Sequence, residues 1–341
     1  MRILRFFALA SMSSALVGAG LAGAPGTGRA SVAAQPMAPS NYLAVSTKEV
    51  CPLTGHGETQ TAARFGLEAA DHGYSFRYQG KLWFLFGDAQ PTPTFPLSSD
   101  VSNENRWSDD PSSLLNDAIA YASPSVPGSC PVLQFIPQTT TAVGAYTDPT
   151  VTYDGHLLSL RTKESPVAGI GLTVNSQSRM YVVFNTNNPK ATSTPKTCAG
   201  RPAGCLGYPY TSVMAVLDDP AKLSFRALYT FSGPPPGPSP YSAPGKFVNV
   251  AMALAPDGYV YFWGTTGASE PCAPGLSQCY RHSYVYLARI RATEIAHASA
   301  SGRPAAIEYF ERTRFVPGSS ESAATPLFRD DPPCMGELGV E

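Results

Sequence analysis

The sequence predicts an all-β protein, and the grouping of its strands predicts a five-bladed β-propeller whose last blade is truncated. Gly (30) and Pro (33) make up about 18% of the 341 residues, against about 12% in typical proteins. Charged residues are only 14% of the chain. After residue 60, short apolar runs alternate with turn-rich segments, which is the pattern of many short strands.

The apolar runs fall into groups of about four, spaced by roughly 50 to 85 residues, as in propeller blades. The first group opens with a hairpin, 74–78 and 82–86, around Gln79-Gly80. The later groups, in chain order, are 118–122, 150–153 and 157–160; then 169–174, 180–184, 212–217 and 225–229; then 247–254, 259–263, 284–290 and 306–310; and finally 336–340, which stops at Glu341. A β-sandwich is the alternative that composition does not exclude.

A pattern that recurs within the sequence supports the interpretation as propeller blades. An apolar run, a short turn and an aromatic-rich run recur as SFRYQGKLWFLFGD, GLTVNSQSRMYVVFNT and VAMALAPDGYVYFWGT. Each fits the two inner strands of a blade. A missing blade would leave unpaired strand edges, so we expect residues 42–50 to supply a strand that closes the last blade.

The N-terminus predicts export. Arg2 and Arg5 precede an apolar, small-residue stretch, and Ala22-Gly23-Ala24 fits a cleavage site. A membrane anchor is the weaker interpretation, because Ser and Gly interrupt the stretch. The predicted organisation is a signal peptide at 1–24, a flexible lead-in at 25–40 and an incomplete propeller at 41–341, in a secreted protein with no membrane span after cleavage.

The seven cysteines of an exported chain should mostly be paired. Two pairs share one spacing and lie in Pro/Gly-rich loops, which predicts local disulfides: Cys198 with Cys205, and Cys272 with Cys279. An odd number remains: Cys51, Cys130 and Cys334. Neither Cys-x-x-Cys nor His partners at ligand spacing occur, so we expect no metal site and no cofactor.

With a formal net charge of −1, the chain has no excess positive charge to attract nucleic acid or anionic membranes. We therefore expect no nucleic-acid partner, and we expect a monomer. The sequence also contains no Gly-x-Ser-x-Gly elbow of a serine hydrolase.

Carboxylates recur where the predicted inner strands begin. Asp71 precedes the first inner strand, Asp117 the second, and Glu337 lies at the fifth, while the hairpin returns Asp88 to the side of Asp71. Several carboxylates on one rim suit glycoside hydrolysis, in which one carboxyl donates a proton and another attacks or activates water. The alternative is that they are turn and cap residues, since Asp favours strand ends for local reasons.

Other side chains are weaker candidates, for substrate binding. His72 follows Asp71, although a surface histidine is the commoner case. Trp107, in the polar segment SNENRWSDDPSS, is the aromatic residue best suited to face a ligand. Trp83 and Trp263 lie inside strand runs, which predicts core positions.

The run DHGYSFRYQGKLWFLFGDAQ resembles the opening signature of a group catalogued as domain of unknown function 4185. The runs NDAIAYAS, GKFVNVAMAL, YRHSYVYLARI and CMGELGVE are similar to that group's later motifs, in the same order, so the resemblance covers residues 60–341. Some members are classed as glycoside hydrolase family 183, endo-D-arabinanases that cut D-arabinofuranose chains of mycobacterial arabinogalactan and lipoarabinomannan. That family's fold is a five-bladed propeller.

The resemblance implies an arabinan polysaccharide as substrate, with catalysis at Asp71, Asp88, Asp117 and Glu337. Because Asp71 belongs to the first predicted inner strand, we expect it to be the nucleophile or base, with Asp88 or Asp117 as acid. The resemblance further implies that residues in the other matched motifs bind sugar hydroxyls: Lys246, Asn249, Arg281 and Ser283. Arg281 would equally serve as a structural ion-pair partner.

Two departures from the family leave alternatives open. The family continues past the Gly-Glu-Leu motif, whereas this chain ends at Glu341, and most members have no assigned activity. The leading hypothesis is a secreted endo-acting furanosidase. The alternatives are a non-catalytic propeller that binds a glycan or a surface protein, and an inactive fragment.

Overall fold

A computed structural model describes residues 52–57, 60–91, 116–123, 129–136, 149–157, 166–186, 211–233, 245–265 and 284–329. All of them belong to one compact unit, Cys51–Val340. These residues are nearly all β-strand, with a five-residue α-helix at Thr61–Phe65 and two 3₁₀ turns. None of the helices in this part of the chain is long and apolar enough to cross a membrane. The predicted signal peptide and lead-in lie outside it.

Sheet one is a four-stranded antiparallel meander. Gln79 and Gly80 both have positive φ (48° and 74°), which is the conformation of a two-residue type I′ hairpin turn. This turn fixes the register of the predicted hairpin, in which Phe76 pairs with Trp83. The strands, paired in chain order, are β1 (Leu67–Tyr78), β2 (Lys81–Pro91), β3 (Asn116–Ala122) and β4 (Gln134–Phe135).

Sheet two is a second meander with two strands added at its outer edge. Asn175 and Ser176, with φ of 50° and 64°, form the tight turn of its first hairpin. The strands are β5 (Thr150–Tyr153), β6 (His156–Leu157), β7 (Ala168–Val174), β8 (Gln177–Thr186), β9 (Thr211–Asp219) and β10 (Ser224–Ser232). Their order is β6-β5-β10-β9-β8-β7, and β5 pairs with β10 in parallel.

Sheet three is a third antiparallel meander. Its first hairpin turns at Asp257-Gly258, where Gly258 has a φ of 81°. The strands are β11 (Asn249–Leu254), β12 (Tyr259–Thr265), β13 (Tyr284–Arg291), β14 (Glu308–Glu311), β15 (Arg314–Pro317) and β16 (Phe328–Arg329). The order is β11-β12-β13-β14-β15, and β16 pairs with β13.

The third and fourth predicted strand groups are confirmed, but the second group is wrong. Residues 118–122 form β3, which pairs with β2 (Leu85 with Ile119) and completes sheet one. Residues 150–153 form β5, which lies between β6 and β10 in sheet two. The prediction grouped strands by closeness along the chain, and the long connection 92–115 concealed the pairing of β2 with β3. The predicted strands at 42–50 and 336–340 lie outside the described residues.

Two apolar layers separate the three sheets. One layer holds Trp83 and Ile119 of sheet one against Phe184 of sheet two. The other packs Val183 of sheet two against Phe262 of sheet three. Sheet two is therefore buried on both faces, which explains the uninterrupted apolar run of β8. Full burial of a side chain such as Phe184 contributes roughly 1.5–3 kcal/mol.

The first strands of the three meanders lie side by side, with β7 between β1 and β11. A Cβ on Gly171 would lie 2.4 Å from the carbonyl oxygen of Arg77, so only glycine permits this approach of β7 to β1. The hydroxyl of Tyr74 on β1 donates to the carbonyl of Met252 and accepts from its N–H (3.2 Å), which joins β1 to β11.

Candidate functional site

The strands of each meander have two unlike ends. Because neighbouring strands are antiparallel, one end of each meander holds N-terminal and C-terminal strand ends together. At this end lie the N-terminal ends of β1, β3, β7, β9, β11 and β13 and the C-terminal ends of β2, β8, β10 and β12. We call this the polar end and the opposite one the turn end. Apart from Thr61, every buried polar side chain among the described residues lies at or near the polar end: Asp117, Asn185, Thr211, Ser212, Thr230, Ser232, Asn249 and Thr265.

Three of the predicted catalytic residues fall on three adjacent strands at the polar end of sheet one. Asp71 on β1 pairs with Gly87 on β2. On the other side of β2, Phe86 pairs with Ala118 and Ala89 with Asn116, so Gly87 and Asp88 lie opposite Asp117 of β3. The register therefore brings the backbones of Asp71, Asp88 and Asp117 to one place.

Both strand pairs are irregular at this place. The register shifts between Asp71 and Tyr74 in the first pair, and between Phe86 and Ala89 in the second. Such bulges bend a strand and re-aim its side chains, and they are over-represented next to active sites. His72 lies within the irregular part of β1, beside Asp71.

The structure changes two details of the sequence prediction. Asp71 lies inside β1, which begins at Leu67, rather than before the strand. Asp117 lies on the third strand of sheet one and not on the inner strand of a second blade. The expected side-by-side arrangement thus arises within one sheet, through pairing with β2. Asp117 is buried, with 8% of its surface exposed.

Asn249, a predicted sugar-binding residue, begins β11 and is buried at the polar end. The side-chain amide of Asn185 donates to its Oδ1 at 2.8 Å, which links sheet two to sheet three. Sequence reasoning missed Asn185. The repeated pattern in the sequence could have indicated it. Phe184-Asn185-Thr186 stands at the end of β8 in the same way that Phe86-Gly87-Asp88 stands near the end of β2.

Lys246, another predicted sugar-binding residue, is held by this chain's own groups. Its ammonium donates to the carbonyls of Ser322 and Ala324, each at 2.7 Å, and lies 4.9 Å from the ring centre of Tyr286. Burial lowers the pKa of Lys246, while the nearby carboxylate of Glu321 acts in the opposite direction. These contacts give Lys246 a structural role, and its sugar-binding role stays a prediction.

The remaining predicted residues divide into two sets. Trp83 is a core residue, as expected, whereas Trp263 is only half-buried and belongs to neither apolar layer. Cys130, the one cysteine within the described residues, is disulfide-bonded. Outside the described residues lie Trp107, Arg281, Ser283, Glu337 and the predicted pairs Cys198–Cys205 and Cys272–Cys279.

Among the side chains that the structure describes, no three or more His, Cys, Asp or Glu residues group as a metal site would require. What the polar end offers is carboxylate and amide chemistry. Carboxyl groups can donate, accept or transfer a proton, and fixed amides such as Asn249 can bond to hydroxyl groups.

No protein-family model matches the chain, and no curated protein matches it. Among solved structures it is similar to a glycoside hydrolase family 43 arabinoxylan arabinofuranohydrolase from Bacillus subtilis in complex with cellotetraose, at 10% identity and a TM-score of 0.34, covering 76% of this chain and 54% of that one. It is also similar to the β-fructofuranosidase catalytic domain of Microbacterium saccharophilum K-1, at 14% identity and a TM-score of 0.31, covering 77% and 49%.

The full-length form of that β-fructofuranosidase matches at 14% identity and a TM-score of 0.28, covering 68% of this chain and 44% of that one. The chain spans about half the length of the solved structures it matches.

Proposed function

We propose that the protein is a secreted glycoside hydrolase that cuts D-arabinofuranose chains of cell-wall arabinan from within, and that its active site is the polar end of sheet one. The observation that carries the proposal is the register of β1, β2 and β3, which groups Asp71, Asp88 and Asp117. Hydrolysis of a glycosidic bond needs two such carboxyl groups, one as acid and one as nucleophile or base.

Two mechanisms are open to these carboxylates. Retaining enzymes hold their two carboxyl groups about 5 Å apart, and inverting enzymes hold them about 6.5–9.5 Å apart. Asp71 and Asp88 lie on neighbouring strands, whereas Asp71 and Asp117 lie on strands separated by β2. The pair with Asp88 as acid, the closer one in strand order, is our candidate for retention, and the pair with Asp117 as acid is our candidate for inversion.

Asp71 serves as nucleophile or base in both versions. Asn249, fixed by Asn185, binds a sugar hydroxyl group. The stereochemistry of the first product decides between the two acids: retention of the anomeric configuration, seen by NMR, assigns Asp88, and inversion assigns Asp117.

The proposed architecture is a five-bladed propeller, of which the described residues contribute three meanders with adjacent first strands. Parts of the chain outside them would supply the rest. Glu337 is the fourth proposed catalytic carboxylate. β16 pairs Arg329 with Tyr284 at the N-terminal end of β13, so the chain leaves β16 towards the polar end. The eight residues from Arg329 to Glu337 can span up to about 26–29 Å, enough to cross a four-stranded sheet.

The test is incubation of the disulfide-intact protein with purified mycobacterial arabinogalactan and chromatography of the products. We expect a ladder of short D-arabinose oligomers, and a loss of about 10²- to 10⁴-fold in rate for Asp71→Asn and Asp88→Asn. Asp154→Asn is the matched control, because Asp154 is an exposed residue of the β5–β6 turn.

The absence of products from the wild-type protein would contradict the proposal. Retained binding of arabinogalactan in that case would identify a non-catalytic glycan-binding protein. Equal rates in Asp71→Asn, Asp88→Asn and wild type would show that the activity lies elsewhere in the molecule.

A further inference from the structure

Glu321 begins a short 3₁₀ turn, Glu321–Ala323, that follows β15, and its carboxylate accepts three hydrogen bonds from two other parts of the chain. The donors are the hydroxyl of Ser232, the N–H of Gly233 at 3.1 Å and the N–H of Lys246 at 2.5 Å. Ser232 ends β10, and Lys246 lies three residues before β11. One carboxylate therefore joins the polar end of sheet two to the start of sheet three.

The hydrogen bonds continue from Glu321 towards Asn249. The hydroxyl of Ser232, which donates to Glu321, accepts the N–H of Phe247 at 2.8 Å. The carbonyl of Phe247 accepts the hydroxyl of Ser212 at 2.7 Å. Asn249 follows two residues later, so these bonds determine where the chain enters β11.

The segment before β11 lies against the end of β10 with no space between them. A Cβ on Gly245 would be 2.1 Å from the hydroxyl oxygen of Ser232 and 2.2 Å from the nitrogen of Gly233. Lys246 also ties this segment to the 3₁₀ turn, because its ammonium donates to the carbonyls of Ser322 and Ala324. The turn that carries Glu321 is thus itself fixed to the segment that Glu321 holds.

We infer that Glu321 is a positioning residue for the proposed active site: by holding Ser232, Gly233 and Lys246 together, it fixes Asn249 at the polar end. The inference rests on the proposed function in assigning sugar binding to Asn249. Glu321 touches no reacting atom in this role. Its carboxylate acts through the backbone of residues 245–249.

The test compares Glu321→Gln with Glu308→Gln. Glutamine keeps the shape and one acceptor oxygen, but its NH₂ group faces the N–H of Gly233 and cannot accept from it. Glu308 is the matched control, because it also bonds within sheet three, to Arg289 at 2.8 Å, but lies on β14 opposite the C-terminal half of β13, away from the polar end.

Three measurements are made on each variant: hydrogen exchange, arabinan hydrolysis and a thermal melt. For Glu321→Gln we expect a lower Tm, faster exchange in residues 232–233 and 245–250 and a KM for arabinan raised about 10- to 100-fold, the cost of a displaced substrate contact, with kcat changed less. For Glu308→Gln we expect a fall in Tm comparable to that of Glu321→Gln, unchanged exchange at 245–250 and an unchanged KM.

Each outcome decides the question. Unchanged exchange at 245–250 in Glu321→Gln overturns the inference, and so does faster exchange with an unchanged KM. If the wild-type protein cleaves no arabinan, the proposed function has failed, and faster local exchange in Glu321→Gln alone then still supports the positioning of residues 245–249 by Glu321.

Discussion

The two ends of the strands differ in what they hold. The turn end carries the tight first hairpin of each meander, at Gln79-Gly80, Asn175-Ser176 and Asp257-Gly258. The polar end gathers the buried polar side chains of the described residues, Thr61 apart. Tight turns specify register and leave little room for change, whereas buried polar groups must be held by hydrogen-bond partners, which fixes their positions for binding.

The largest expected effect is at the polar end. Asp117→Asn should lower the rate of arabinan cleavage by about 10²- to 10⁴-fold if Asp117 is the general acid. Asp154→Asn, on a turn, should leave the rate unchanged. A kinetic assay measures both rates, and an unchanged rate in Asp117→Asn would leave Asp88 as the acid.

The next effect tests what joins the first strands. β11 is an edge strand, and Tyr74 provides partners for both the C=O and the N–H of Met252. Tyr74→Phe leaves these groups without that partner, which should cost about 1–3 kcal/mol in the free energy of unfolding.

Tyr78→Phe is the control for Tyr74→Phe, since among the described residues the hydroxyl of Tyr78 makes a single exposed bond, of 3.4 Å, to the carbonyl of Ser178. Urea unfolding of both variants measures the difference. Equal losses would mean that the Tyr74 link between β1 and β11 contributes nothing particular.

The layer between sheets two and three should respond to alkaline pH. Burial raises the pKa of Tyr229 far above its usual value of 10, and burial likewise raises the pKa of Tyr309. The unfolded chain loses these protons above pH 10 while the folded protein keeps them, so the stability present below pH 10 is lost as the pH rises beyond it.

Between pH 9 and 11, the free energy of unfolding of Tyr229→Phe should therefore fall by about 1.4 kcal/mol less than that of the wild type. Denaturant unfolding at several pH values measures the slope for the variant and the wild type. Identical slopes would contradict a fully neutral Tyr229 in the folded state.

The smallest effect belongs to the turn end. Ser176 has a φ of 64°, a conformation that glycine adopts without strain, and Asn-Gly is the preferred type I′ pair. Ser176→Gly should therefore raise the free energy of unfolding by about 0.5 kcal/mol and leave the rate of cleavage unchanged. A change in rate would show that the turn end communicates with the polar end.

The sequence predicted the local features well, because they depend on neighbouring residues. The hairpin around Gln79-Gly80 follows from its turn residues, and the runs of β7 to β14 follow from their apolar patterns. The pairing of β2 with β3 and the place of β5 could not be predicted, because long connections separate the partners. Asn185 and Glu321 were missed for a similar reason: Glu321 acts on Gly233 and Lys246, 88 and 75 residues away.

The parallel pairing of β5 with β10 bears on how the chain is made. Thr152 of β5 bonds to Phe225, 73 residues further along. A ribosome releases β5 and its hairpin partner β6 first, so the other edge of β5 has no partner among the described strands until β10 is synthesised. During that interval this edge is open to other chains. Of the described strands, β5 is thus the one whose incorporation should limit folding and invite aggregation when the protein is produced at high concentration.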